Sequence, residues 1–134
     1  MTASIVYEGN LRCRAIHVQS GHRIETDAPT DNHGKGEKFS PTDLVCTALG
    51  TCILTTMAIK AESMGIDIGN STAHVTKHMT VAPRRIAKIA VEIKLSTANQ
   101  ISEKDREILV KTGGTCPVAR SLHPEVELDI SYTQ

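Results

Sequence analysis

The sequence is poor in aromatic residues: among 134 positions only Tyr7, Phe39 and Tyr132 carry a ring, and tryptophan is missing. Three rings leave little from which to build a base-stacking platform. Charge adds nothing in that direction, because 15 Lys and Arg balance 15 Asp and Glu and no basic block occurs. Nucleic acid and membrane surfaces are therefore not expected partners. Glycine-rich phosphate loops, G-x-G-x-x-G and G-x-S-x-G are all missing, which removes the usual footholds for nucleotide binding and serine hydrolysis. No C-x-x-C occurs. His74 and His78 have helical chelate spacing but fall on an expected strand, where four residues span about 13 Å, too far to hold one ion. His33 and His123 lie on expected loops. No metal or cofactor is expected. Met1 to Asn10 lacks the basic and apolar parts of a signal peptide, so the expected location is cytoplasmic. There, Cys13, Cys46, Cys52 and Cys116 read as thiols, redox groups or ligands rather than as a permanent disulfide frame.

What is present is one long apolar stretch. A chain of this length is expected to form a single domain, 1–134, with a core built from Ile, Val, Leu, Met and Ala. Ser40 to Gly65 supplies its densest part. Ser40 is a good N-cap, Pro41 suits the first turn, Asp43 completes a capping-box-like S-x-x-D, and Gly65 provides a stop. Apolar residues from Leu44 to Ile59 occupy most of the circumference, which predicts a helix covered on nearly all sides. Thr47, Gly50, Thr51, Thr55, Thr56 and Lys60 interrupt the run, arguing against a membrane span.

Before that helix, Ser4–Tyr7, Leu11–Val18 and His22–Thr26 are β-branched or alternating runs separated by Gly-Asn and Ser-Gly, which predicts an antiparallel meander. Asp27 to Phe39 has no period and reads as a surface loop. After the helix, Ser71–Val81 and Ile86–Leu95 alternate around a turn at Ala82 to Arg85, which predicts a hairpin. Ser102, with Asp105 three residues on, caps a second helix that ends at Gly113-Gly114. A short third helix begins at Cys116, and Val126–Tyr132 forms a last strand. The order βββ-α-ββ-αα-β predicts an α+β fold.

The cysteines are the first candidates for chemistry, since a thiolate is both a nucleophile and a peroxide reductant, with burial as a packing residue the alternative for each. Cys46 and Cys52 cannot pair within one helix, because six residues of 1.5 Å rise separate them by about 9 Å. Cys116 stands at an expected helix N-terminus, where the dipole and free N–H groups favour a thiolate. Cys13 and Cys46 read as packing residues.

Two motifs, S-P-T-D-L-V-C-T-A-L-G-T-C at Ser40–Cys52 and G-T-C-P-V-A-R-S-L at Gly114–Leu122, resemble those of the OsmC/Ohr family of osmotically inducible and organic hydroperoxide resistance proteins. The resemblance extends over essentially the whole chain. It implies antiparallel sheets packed around a long buried central helix in an intertwined homodimer, with active sites at the subunit interface. It also implies a peroxidatic Cys52, a resolving Cys116, a hydroperoxide substrate and an external dithiol reductant. Where the family carries a glutamate after the helix-opening proline, this chain has Thr42, with Asp43 one residue on. The family's thiolate-stabilising cation has candidates in Arg12, Arg14 and Arg23, with Lys35 and Lys38 on the loop. The alternative is an OsmC-like protein with little peroxidase activity that binds a small apolar or thiol-containing ligand between subunits.

Overall fold

The structure, a computed structural model, describes residues 1–134. The chain divides into two compact units, Met1–Val45 and Cys46–Gln134.

In the first unit, β1 (Ala3–Gly9), β2 (Arg12–His17) and β3 (Arg23–Asp27) form the expected antiparallel meander in the order β1-β2-β3. The turn from β1 to β2 holds Gly9, Asn10 and Leu11 at φ of 89°, 57° and 62°, the left-handed region in which glycine and asparagine are at home. The segment after β3 is exposed along most of its length, as expected of a loop, and contains a short 3-10 turn at Thr30–Asn32. Its two ends are tied. Asp27 N–H donates to the Phe39 carbonyl at 3.1 Å, and the Asp27 carboxylate accepts the Glu37 N–H at 3.1 Å and Arg12 Nη2 at 3.4 Å. The long helix α1 (Pro41–Ser63) then starts with a reciprocal capping box: Asp43 N–H donates to Ser40 Oγ at 3.0 Å and Ser40 N–H to Asp43 Oδ2 at 2.9 Å.

Most of α1 lies in the second unit. It ends as the glycine predicts, with Gly65 at φ 71° and the Ile66 N–H donating back to the Ala61 carbonyl at 2.9 Å. The remaining elements are β4 (Thr72–Thr80), β5 (Arg85–Lys94), α2 (Glu103–Gly113), α3 (Pro117–Ser121) and β6 (Glu127–Thr133). The core joins Leu49, Ile53 and Met57 of α1 to Ile89, Val91 and Ile93 of β5 and Leu109 of α2. Close approach sets the residue at position 50: a Cβ on Gly50 would lie 2.8 Å from Val75 Cγ2, so α1 meets β4 through a glycine.

The α+β class and the element order agree with the sequence reading, and two details differ. The sheet β4-β5-β6 is mixed, because β6 pairs with β5 in parallel, Lys88 opposite Glu127 and Ile93 opposite Tyr132. The α2–α3 crossover supplies the long connection that parallel neighbours need. Within one chain, α1 is also not covered all round. Cys46, Leu49, Gly50, Ile53, Met57 and Ala61 form its buried face, whereas Val45 is 38% and Ile59 67% exposed. By length and composition α1 could span a bilayer, but this face belongs to the core of a folded unit.

Candidate active site

Two cysteines from different elements converge in the second unit. Cys52 sits half-buried on α1, immediately before the fully buried Ile53. Cys116 is delivered by the turn between α2 and α3, where Thr115 N–H donates to the Thr112 carbonyl at 3.0 Å and Cys116 N–H to the Gly113 carbonyl at 3.4 Å. Pro117 then opens α3, with Cys116 as its N-cap and the Cys116 Sγ accepting the Ala119 N–H at 3.4 Å. Cys116 is fully buried, and the Cys52 thiol is close enough to act on its ionisation. All four cysteines are free thiols.

The electrostatics of Cys116 reverse the expectation drawn from its helix position. Burial pushes its thiol above the ordinary range and Cys52 adds to this through hydrogen bonding and charge, while the N–H groups of Ala119 and Val118 pull the other way. Desolvation outweighs the capping N–H groups because a helix of 5 residues offers little dipole and Cys116 is fully buried. Cys116 is therefore a protonated thiol at neutral pH.

Tyr132 of β6 lies within the electrostatic influence of Cys116, and the sequence reading passed over it. Its phenol is raised by burial first and then by the Cys116 charge. Its hydroxyl lies 2.9 Å from where a Cβ on Gly113 would be, with Met57 Cγ and Sδ each 3.0 Å from the same point. A signal was available in the scarcity of aromatics: one of three rings ends the last strand, on its inward alternation.

The candidate cations lie in the first unit, and three of them, Arg12, Arg14 and Lys38, have carboxylate partners. Arg12 Nη2 is 3.4 Å from Asp27 and 3.0 Å from Glu37, and Arg14 Nε is 4.0 Å from Glu8. Lys38 pairs with Glu25, while Arg23 and Lys35 are exposed. Asp27, which the sequence reading placed at the start of a loop, is only 1% exposed, and the Glu37 N–H and Arg12 hold its carboxyl below the usual carboxylate range. No local pattern announces that burial. Asp43 is engaged in the capping box and Thr42 Oγ1 lies 3.3 Å from Ser40 Oγ. Cys13 is half-buried in β2 and Cys46 is buried in the core of the second unit. His74 and His78 point outward from β4, and His123 Nδ1 accepts the Glu125 N–H at 3.1 Å.

Comparison with known proteins agrees with this architecture. The model of the OsmC-like protein family matches residues 34–131. No curated protein matches. Among solved structures, one described as an osmotic stress induced and detoxification response protein from Psychrobacter arcticus is 45% identical, with a TM-score of 0.92 over 98% of this chain and 95% of that one. The organic hydroperoxide resistance protein OsmC from Legionella pneumophila shares the fold at 15% identity, with a TM-score of 0.73 over 100% and 98% of the two chains. An organic hydroperoxide resistance protein from Vibrio cholerae, with captopril bound in one of its active sites, does so at 12% identity, with a TM-score of 0.71 over 98% and 91%. The paired motifs, the element order and the matched family model lead to one statement of kinship: this chain belongs to the OsmC-like (OsmC/Ohr) family, which includes organic hydroperoxide resistance proteins.

Proposed function

We propose that this protein is a thiol-dependent hydroperoxide reductase in which Cys52 attacks and Cys116 resolves. The observation that carries this reading is the pairing of two neighbouring thiols with unequal burial. The half-buried sulfur is the one a peroxide can reach, and the fully buried one, held protonated, waits for a partner made within the protein.

The Cys52 thiolate attacks the distal oxygen of the hydroperoxide and the O–O bond breaks. The sulfur becomes a sulfenic acid, and the alkoxide takes up a proton and leaves as the alcohol. Cys116 then attacks the Cys52 sulfur, and its proton departs with the displaced hydroxyl as water, leaving a Cys52–Cys116 disulfide. An external dithiol returns both sulfurs to thiols. The net reaction reduces one hydroperoxide and oxidises two thiols. In this reading the protein acts in the cytoplasm as a homodimer, whose second subunit covers the exposed Val45 and Ile59 of α1.

The test is single turnover with one equivalent of an alkyl hydroperoxide. The reduced wild type should lose two thiols, Cys52→Ser should lose none rapidly, and Cys116→Ser should accumulate a sulfenic acid that dimedone traps. Thiol loss no faster than that of free cysteine would sink the reading.

A second reading draws on the cations with carboxylate partners, Arg12 and Arg14, and on the Vibrio cholerae relative that holds captopril. In it the site binds a small apolar or thiol-containing ligand with little turnover. Saturable captopril binding by a protein inert to hydroperoxide would decide for it.

A further inference from the structure

We propose that the Cys116 sulfur is a redox-sensitive latch on α3: closing the Cys52–Cys116 disulfide withdraws the sulfur from the Ala119 N–H, and the helix it caps loosens. This rests on the thiol-peroxidase reading for the identity of the disulfide and goes beyond it in what the bond does to the fold.

The latch answers a difficulty of access. Cys116 has no exposed surface, yet the disulfide it forms must be reached by an external dithiol. Pro117, the next residue, is exposed, so the chain comes to the surface where α3 begins. The helix itself is thin. Arg120 and Ser121 are exposed, Val118 and Ala119 are half-buried, and none of its 5 residues is buried.

A single turn of this length is marginal by itself, so its stability depends on the contacts at its ends. Two of these run to Cys116. The Arg120 N–H donates to the Cys116 carbonyl at 3.3 Å, and the Ala119 N–H donates to the Cys116 Sγ at 3.4 Å. Within the turn, Ser121 Oγ donates to the Pro117 carbonyl at 2.8 Å. Of these three contacts, the one to sulfur is the one that redox chemistry alters. It has little to spare, being long beside the roughly 3.0 Å of an N–H···O bond and made to a weak acceptor. When Cys116 attacks the Cys52 sulfenic acid, the sulfur–sulfur bond forms, the S–O bond breaks, and the Cys116 proton leaves with the hydroxyl as water. The Cys116 sulfur is then tied to α1 instead of free to turn toward α3. Ala119 loses its acceptor at the start of the helix. By contrast α2, of 11 residues, is capped by the Ser102 oxygen at 3.1 Å and is indifferent to oxidation.

The test uses the whole protein and forms the disulfide without hydroperoxide. Diamide takes up the two thiol hydrogens on its azo bond and leaves the disulfide, which peptide mapping identifies. Hydrogen exchange of the 117–122 segment is followed by mass spectrometry with α2 as reference, and trypsin cleavage after Arg120 is timed in parallel. Both should be about fivefold faster in the oxidised protein, the worth of a side-chain cap, with α2 unchanged. Dithiothreitol added to the native protein should restore the slow rates. In the reduced state Cys116→Ala, which has no cap, should behave like the oxidised wild type, and Cys116→Ser, which caps through oxygen, like the reduced one. Equal rates in oxidised and reduced wild type, or a disulfide that dithiothreitol reaches only after denaturation, would overturn the latch and leave the peroxidase reading intact. Loosening by diamide in a protein that consumes no hydroperoxide would overturn the peroxidase reading alone. Failure of diamide to join Cys52 to Cys116 would overturn both.

Discussion

The two units bury ionisable groups by opposite means. In Met1–Val45 the buried group is Asp27, kept charged by the Glu37 N–H and the Arg12 guanidinium. In Cys46–Gln134 the groups are the buried Cys116 and the partly buried Tyr132, kept neutral by desolvation. The first arrangement resembles an anchor: a carboxylate neutralised by a cation fastens a thirteen-residue-scale loop, the 27–39 segment, to the edge of a small exposed sheet. The second resembles a reservoir, in which a proton is retained until chemistry calls for it. What differs is the surroundings each sequence can build. The meander exposes Ile5, Val6 and Tyr7 and has little apolar interior of its own, whereas α1 and β5 give the second unit residues with no exposed surface at all.

That contrast is broken most directly in the second core. Ile53→Ala removes a fully buried side chain between α1 and β5 and should cost about 3 kcal/mol by chemical denaturation. A loss below about 1 kcal/mol would mean that the unit is not held together by its apolar interior. Ser40→Ala probes the boundary between the two styles, since it removes the capping-box oxygen at the start of α1; the expected loss is about 1 kcal/mol in the same assay. Smallest in amplitude, but opposite in sign, are the two pH limbs. The Asp27 carboxyl is lowered by folding, so its contribution is present above the ordinary carboxylate range and lost as pH falls through its folded value. The Cys116 thiol and Tyr132 phenol are raised, so stability is full below their ordinary values and declines as pH rises from those values toward the folded ones. Asp27→Asn should flatten the acid limb of a melting-temperature profile and leave the alkaline limb alone, while Cys116→Ser should do the reverse. Equal effects on both limbs would erase the distinction between the units.

What could be read from the sequence was what is decided within a few residues. Ser40, Pro41, Asp43 and Gly65 mark the ends of α1 because capping and left-handed turns are local events. Gly9-Asn10 marks the first hairpin for the same reason. Val126–Tyr132 was legible as a strand but its direction was not, since strand alternation has the same pattern read either way, and the parallel pairing escaped. For the site, the joining of Cys52 to Cys116 came from motif resemblance, because spacing says nothing about two sulfurs on different elements. The position of Cys116 at a helix N-terminus was correctly foreseen, yet the direction of its acidity was not, because its burial depends on residues distant in sequence, Cys52 of α1 among its neighbours. Asp27 and Tyr132 were missed for a common reason: each matters through a neighbour distant in sequence.

The parallel pairing of β5 with β6 has a consequence in time. A hairpin such as β4–β5 can close through one turn, but Lys88 meets Glu127 only after α2 and α3 have been folded back between them. Closing that span loses chain entropy before any pairing repays it, so β6 docks after the local elements are in place. Tyr132 therefore takes its place beside Gly113 and Met57 among the last events of folding, and the sulfur pair acquires its full environment only when the second sheet is complete.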